Sequence, residues 1–354
     1  MFVALRDLRF ARGRFVLIGS VVALITVLVG FLSGLTGGLA TQNISAVLSI
    51  PGDRIAFSAS GDGGPSFSDS AITREQATAW SATAGVDAVA PIGISQTRAE
   101  AGDTRIAVAV FGVPAAFSAV TPSTDGLLGL SQPAAGDLGV SAGDTVAIAG
   151  VDYTVETIAG DAWYSHTPVV EMTLHDWQAM SAATGSPDAY ATVLAVTGSP
   201  DWAAADAAND TVSETTLGSL TALSAFRSEI GSLLLMVAML FGISGLVIGA
   251  FFTVWTMQRK ADIAVLKALG ASTASLVRDA LGQALIVLAL GIGSGLAVVA
   301  LFGALAGTAL PFLLSPLTTV LPGVLMIALG TAGAAFALRS VTSADPLTAL
   351  GSNR

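Results

Sequence analysis

Three stretches of the chain carry no charged residue and are long enough to cross a lipid bilayer, and they decide what the chain can fold into. A spanning helix needs about 20 apolar residues at 1.5 Å of rise each. Residues 15–52 supply one span, at about 15–39, and residues 230–258 a second. Residues 280–338 are long enough for two. Pro311, Pro316 and Pro322 fall inside that run, and a ring without an amide N–H favours a turn there. The expected spans are then about 281–305 and 319–338. Composition agrees, since 53% hydrophobic and 11% charged residues depart from an ordinary soluble domain. An Arg-rich flank followed by Gly38, Leu39 and Ala40 imitates a signal peptide, but the apolar run is too long for one.

Orientation follows from the basic residues, which stay on the cytoplasmic side of short flanking segments. Arg6, Arg9, Arg12 and Arg14 precede the first span, Arg259, Lys260, Lys267 and Arg278 lie between the second and third, and Arg339 and Arg354 follow the fourth. The other five of the 15 basic residues share the long segment after the first span with 21 of the 25 acids, a net charge of −16. Both ends are therefore expected in the cytoplasm and the acidic segment outside, in a multi-pass protein of the cell membrane. The partner implied by composition is the lipid bilayer, with no nucleic acid.

The expected organisation is as follows. Residues 1–14, with Phe2, Leu5, Leu8 and Phe10 beside an arginine stripe, form a cytoplasmic amphipathic elbow helix. Residues 15–49 are the first transmembrane helix and its outer extension. Residues 50–223 are an extracellular α+β domain, with strands at 54–58, 104–112, 145–149, 153–158 and 190–196 between Gly, Asp, Ser and Pro turns. Helices are expected at 73–84 and 173–183, the second opening with Thr173 and Asp176 in capping-box spacing. Residues 61–70 read as a mobile Gly/Ser/Pro loop. Residues 216–228 read as a stalk helix continuous with the second span, which with it occupies 224–257. Residues 258–280 are a cytoplasmic helix, 281–338 the last two spans, and 339–354 a cytoplasmic tail. With no cysteine the outer domain has no disulfide to hold it and no thiolate metal ligand.

The cytoplasmic segment at 258–272 carries the clearest pattern. Apolar Ile263, Leu266 and Leu269 alternate with charged Arg259, Asp262 and Lys267, and Gly270 offers a C-cap. Positive-inside flanking sequence explains the charges but not the order. Arg259, Ile263, Ala268, Gly270 and Ala271 resemble the coupling-helix motif of the MacB-type, or FtsX-like, family of ABC transporter permeases, with Asp262 where the family usually has Glu. The resemblance extends to the four-span layout and to the C-terminal Asp345, Pro346 and Leu347. It implies that Arg259, Asp262, Ile263, Leu266, Lys267 and Gly270 dock a separate ABC ATPase subunit, which brings ATP and Mg. The chain itself has no Walker A pattern and is expected to be no enzyme. The family works as homodimers with spans one and two at the interface. Among the pairs Gly30/Gly34, Gly245/Gly249 and Gly291/Gly295, the first two are the better candidates for that contact.

Glu229 stands at the outer mouth of span two with Arg227 and Phe226 within a turn. One reading is an interfacial acid near a helix start. The other is a substrate ligand, since intramembrane acids are functional candidates and two copies would face one cavity in a homodimer. Members with one outer domain of this size resemble the heme-export permeases of Gram-positive bacteria, the HrtB type. That resemblance implies heme as cargo, with no intrinsic cofactor, Glu229 as a hard metal ligand for ferric iron, Arg227 at a propionate, and Val29, Ser33, Met236 and Phe226 against the macrocycle. His166 and His175, near Tyr164 and Trp177, are of a type that binds metal or heme iron, but with no ligand spacing near either they read as surface or packing histidines. Two other functions stay open: export of another amphiphile such as a macrolide, peptide or lipoprotein, and FtsX-like signalling to a cell-wall hydrolase without transport. The topology is tested by labelling Ser66→Cys in intact cells with a membrane-impermeant maleimide. The label should attach without permeabilisation; reaction only after the cytoplasmic face is opened would reverse the orientation.

Overall fold

A computed structural model describes residues 12–59, 64–258, 265–266, 269–307 and 310–342. The chain divides into two compact units, a helical unit of Met1–Gly38 with Ser232–Arg354 and an outer unit of Leu39–Gly231. Its first element, helix α1 (Arg12–Leu48), begins in the first unit and ends in the second.

The outer unit is an α+β domain. Strand β1 (Arg54–Ser58) is followed by α2 (Arg74–Ser81), β2 (Val86–Ala101), β3 (Thr104–Val113), β4 (Leu127–Leu130), α3 (Gln132–Leu138), β5 (Thr145–Ile148), β6 (Val151–Ile158), β7 (Trp163–Tyr164), β8 (Thr167–Thr173), α4 (Leu174–Ala183), β9 (Val193–Gly198), α5 (Trp202–Asn209) and β10 (Thr211–Thr215). The strand order is β10-β1-β9-β2-β3-β8-β4-β6-β5, and β5 returns to pair with β2 through Ala99 and Ile148. Six strands thus close a ring around Val108, Val110, Leu128, Leu130, Ile148, Val170 and Met172, all fully or almost fully buried. The first half of β2 pairs with β9 and the second with β3, so this one strand ties the ring to the rest of the sheet. Sequence patterning does not single out β2, because Pro91 and Gly93 break its apolar alternation. Gly93 is there for packing. A Cβ at Gly93 would lie 2.1 Å from the Trp177 ring, and one at Gly112 would lie 2.2 Å from the Trp177 Cβ, so both glycines make the seat for that indole.

Three expectations about the outer unit are corrected. Thr173 caps α4 by accepting from the Asp176 N–H at 3.1 Å, but the Asp176 carboxylate turns to the Gly126 N–H at 2.7 Å, and the reciprocal capping box forms instead between Thr73 and Gln76. The 61–70 segment is not a loose loop along its described part, 64–70. Phe67 is buried against Phe57 and Tyr164, at centroid distances of 4.9 and 6.0 Å, because an aromatic of that area gains more from the core than from water. The expected stalk helix is also interrupted. A 3-10 turn at Gly218–Ala222 ends at Leu223, whose backbone is extended (φ −80°, ψ 112°), and helix α6 (Ser224–Gln258) starts only there. Leu220, Ala222 and Leu223 are drawn into the domain core, and tertiary burial overrides the helical propensity of the run.

The helical unit holds α1 up to Gly38, α6 from Ser232, α7 (Thr273–Ala306) and α8 (Pro316–Thr342). Among the described residues, four helices are long and apolar enough to span a membrane, α1 and α6 being counted across both units. Helix α7 begins eight residues before the expected span, with Ser272 as N-cap accepting from the Ser275 N–H. Pro316 opens α8, where the missing N–H costs nothing, and Pro322 lies inside the helix rather than in the turn. Thr26, Ser244, Thr256 and Thr331 return their hydroxyls to carbonyls one turn back, at 2.6–2.8 Å, which satisfies them without water. The glycine pairs pack within the chain. A Cβ at Gly30 would lie 2.6 Å from Val299 and one at Gly34 2.3 Å from Phe312; Gly291 and Gly295 receive Val22 and Thr26 of α1, and Gly249 meets Gly333 of α8. The Gly30/Gly34 pair therefore serves the packing of α1 within its own unit. The N-terminal elbow helix (1–14) lies outside the described residues up to Ala11, and the tail (339–354) lies outside them from Ser343 on.

Glu171, in β8, is buried in the outer unit with both oxygens taking the Ser118 hydroxyl at 2.8 Å and one taking Thr121 at 3.0 Å. Burial pushes its carboxyl above the usual carboxylate range, against the two hydroxyl donors that favour ionisation. An acid whose folded-state proton affinity is raised stabilises the fold at low pH and loses that contribution as pH rises through its folded value. Glu171→Gln should raise the melting temperature at pH 7 by roughly 2–4 °C and flatten its fall between acid and neutral pH. Equal pH dependence in both proteins would contradict the buried-acid account.

Candidate functional site

Three polar side chains far apart in sequence meet in the outer unit: Asn43 of α1, His166 of the β7–β8 turn and Glu229 of the first turns of α6. His166 Nε2 lies 3.2 and 3.0 Å from the two Glu229 carboxylate oxygens, and Asn43 donates from Nδ2 to Glu229 Oε2 at 3.3 Å. The same Nδ2 is 3.3 Å from His166 Nε2. With its Nε2 protonated, His166 donates to this carboxylate beside the Asn43 amide N–H, so that both oxygens act as acceptors. The His166 and Glu229 side chains are about one-third and two-fifths exposed (32% and 43%), whereas Asn43 is 1% exposed. A polar contact this accessible contributes on the order of 0–1 kcal/mol, so its geometry matters more than its stability.

The local chain is built to place His166. Ser165 and His166 both have positive φ, +48° and +63°, the signature of a two-residue type I′ hairpin turn that Asn-Gly usually makes. A side chain in that region costs roughly 1–2 kcal/mol per residue. The turn is kept because its two N–H groups are accepted by α1, Ser165 by the Asn43 carbonyl at 2.9 Å and His166 by the Gln42 carbonyl at 3.0 Å. Ser45 Oγ accepts from Trp163 N–H at 2.8 Å, and Tyr164 is buried against Phe67 and Phe111. The hairpin is therefore fastened to α1 at its tip and to the core at its root. The reading of His166 as a packing or surface residue is corrected: its partners lie 63 and 123 positions away, where no spacing rule finds them.

The other expected residues are less concentrated. Phe226 leans on the outer-domain core, and Arg227 is exposed. In the helical unit Val29 is 1% exposed and packs in the interior, so it offers no face to a ligand; its β-branched side chain fills the space that a lipid-facing position would leave open. Ser33 is half-buried and Met236 is 52% exposed. Arg259, Asp262, Ile263 and Lys267 lie outside the described residues. Leu266 is 43% exposed, and Gly270 has φ +94° with the Ala271 N–H returning to the Leu266 carbonyl at 3.0 Å, the hydrogen bond of a Schellman helix end. Residues 273–280, expected in the same cytoplasmic helix, belong to α7.

A second cluster, Asp125, His175 and Asp176, puts one ligand-type atom from each within 4.8 Å of the others. Asp125 accepts from Thr173 and lies 2.9 Å from His175 Nδ1; the Thr173 hydroxyl, ahead of the His175 contact, holds its carboxyl below the usual range against a small desolvation effect. These contacts fix the start of α4 against the preceding loop and account for the residues there.

Compared with known proteins, residues 227–346 match the FtsX-like permease C-terminal family. Over 99% of its own length and 99% of theirs, the chain is 24% identical to proteins named as the hemin transport system permease HrtB in Staphylococcus haemolyticus and Staphylococcus epidermidis. Among solved structures, the periplasmic region of MacB from Actinobacillus actinomycetemcomitans aligns over 48% of this chain and 92% of its own, at 11% identity and a TM-score of 0.36.

Proposed function

We propose that this multi-pass membrane protein, whose residues 227–346 form an FtsX-like permease domain, is the permease subunit of an ATP-driven ABC exporter that moves heme from the membrane to the outside. The observation that carries the reading is Glu229, an ionisable residue at the head of a membrane-spanning helix, gathered with His166 and Asn43 rather than left to solvent. The names of full-length relatives support the cargo.

The proposed chemistry starts from what export demands. The site must take ferric heme out of lipid and then release it, so its iron ligand must be weaker than a pair of histidines. A carboxylate is a hard oxygen ligand suited to ferric iron and exchangeable for water. In a homodimer two copies of Glu229 would offer one such oxygen each, and the exposed Arg227 guanidinium, two residues earlier, would meet a propionate in the forked geometry that a carboxylate accepts. A planar, lipid-soluble molecule can reach a helix head near the headgroups sideways, without crossing a charged barrier. Energy would come from a separate ATPase subunit docked on the 258–270 segment, with both chain termini on that cytoplasmic side.

Glu229→Ala should shift the absorption spectrum of hemin bound to the purified protein, weaken binding at least tenfold and raise the hemin sensitivity of cells at equal expression. An unaltered spectrum with unaltered resistance would reject Glu229 as the ligand. Replacing Ile263 and Leu266 with Asp should abolish ATPase association while leaving membrane insertion intact.

A further inference from the structure

We propose that His166 is a latch on Glu229: in the unloaded protein it occupies the carboxylate that the cargo must take, so that loading releases the β7–β8 hairpin from α6. The inference rests on Glu229 being the ligand for iron, and adds to it a competitor supplied by the outer domain.

The geometry carries this in three steps. His166 Nε2 sits almost symmetrically over the carboxylate, 3.2 Å from Oε1 and 3.0 Å from Oε2, and Asn43 Nδ2 approaches Oε2 from α1. Both oxygens are thus engaged by donors. A lone pair directed at iron is not available to an N–H, and a carboxylate drained of charge by a metal accepts hydrogen bonds less strongly. Loading and latching therefore compete for the same group.

The cost side points the same way. The imidazole is delivered by a turn with two non-glycine residues at positive φ, a conformation that persists only when surrounding contacts enforce it and that concentrates at ligand clamps and switches. Asn43 is 1% exposed, and among the described residues its Oδ1 has no hydrogen-bond partner while its Nδ2 serves the pair. A contact that served only folding would not leave a buried amide half satisfied.

The position gives the latch something to report. The cluster joins the outer end of α1, the hairpin and the head of α6, and the outer unit ends at Gly231, two residues past Glu229. Because the hairpin tip is bonded to α1 through the Gln42 and Asn43 carbonyls, His166 moves with α1 and the outer domain. Breaking the His166–Glu229 contact therefore removes the hairpin's hold on the head of α6, where the Asn43 amide and the packing of Phe226 remain. His166 is a positioning residue here; the cargo touches Glu229.

The test uses the full-length protein in lipid nanodiscs. Hemin is titrated into the wild type, His166→Ala, His166→Gln and Glu229→Ala, and a thermal-melting cycle of His166→Ala, Glu229→Ala and the double variant is run without hemin. A hydrogen bond to a charged group being lost, His166→Ala should bind hemin about tenfold more tightly. His166→Gln, which keeps an N–H donor, should return toward wild type. The melting cycle should be non-additive. Unchanged or weaker hemin binding by His166→Ala would overturn the latch, and weaker binding would make His166 a helper ligand instead. An additive cycle would overturn it as well, by showing that the pair does not form. A coupled cycle with no hemin bound by any variant would instead overturn the heme reading of the function.

Discussion

Lipid offers no hydrogen-bond partner, so any part of this chain that crosses it must satisfy its backbone within helices, and nearly everything polar is expelled elsewhere. The chain obeys this with little compromise. Four helices carry the apolar runs, hydroxyls inside them bond one turn back, and glycines let α1 meet α7 and α6 meet α8 at backbone distance. Almost all the acids are confined to one insert between α1 and α6. A consequence is that the chemistry has few places to sit. The outer end of α1 and the head of α6 are where an apolar helix gives way to a polar domain, and there an acid is tolerated.

Signals that act along the chain were legible in the sequence. The charge-free runs announce the helices, β1 and β3 stand out as β-rich runs between turn residues, and Thr173 marks the start of α4. What was not legible depends on contacts between distant residues. Strand β2 carries Pro91 and Gly93, and it is a strand because β9 and β3 pair with it and Trp177 needs the glycine. The stalk is broken at Leu223 because Leu220 and Leu223 gain more from the domain core than from continuing a helix. Glycine spacing in the spans told of close packing but not of which helix would come close.

The candidate site divides along the same line. Glu229 could be singled out because an acid at a span boundary is rare. His166 could not, since the reason for its place is the Gln42 and Asn43 carbonyls that hold the hairpin tip. One weak signal existed: Ser165 and His166 lie between two short β-rich segments, where a two-residue turn would put a histidine at an apex. Val29 shows the opposite failure, since an apolar residue in a span is as ready for the interior as for a ligand, and the interior takes it.

The proposed function rests on an oxygen ligand for iron at the head of a membrane helix, linked to ATP hydrolysis by a separate subunit on the other side. The most direct measurement is ATP hydrolysis by the permease reconstituted with its ATPase subunit in nanodiscs, titrated in parallel with hemin and with iron-free protoporphyrin IX. The account predicts that hemin stimulates hydrolysis and that protoporphyrin, equal in shape and apolar area but with no metal for Glu229, does not. Equal stimulation by the two, or none by hemin, would contradict it.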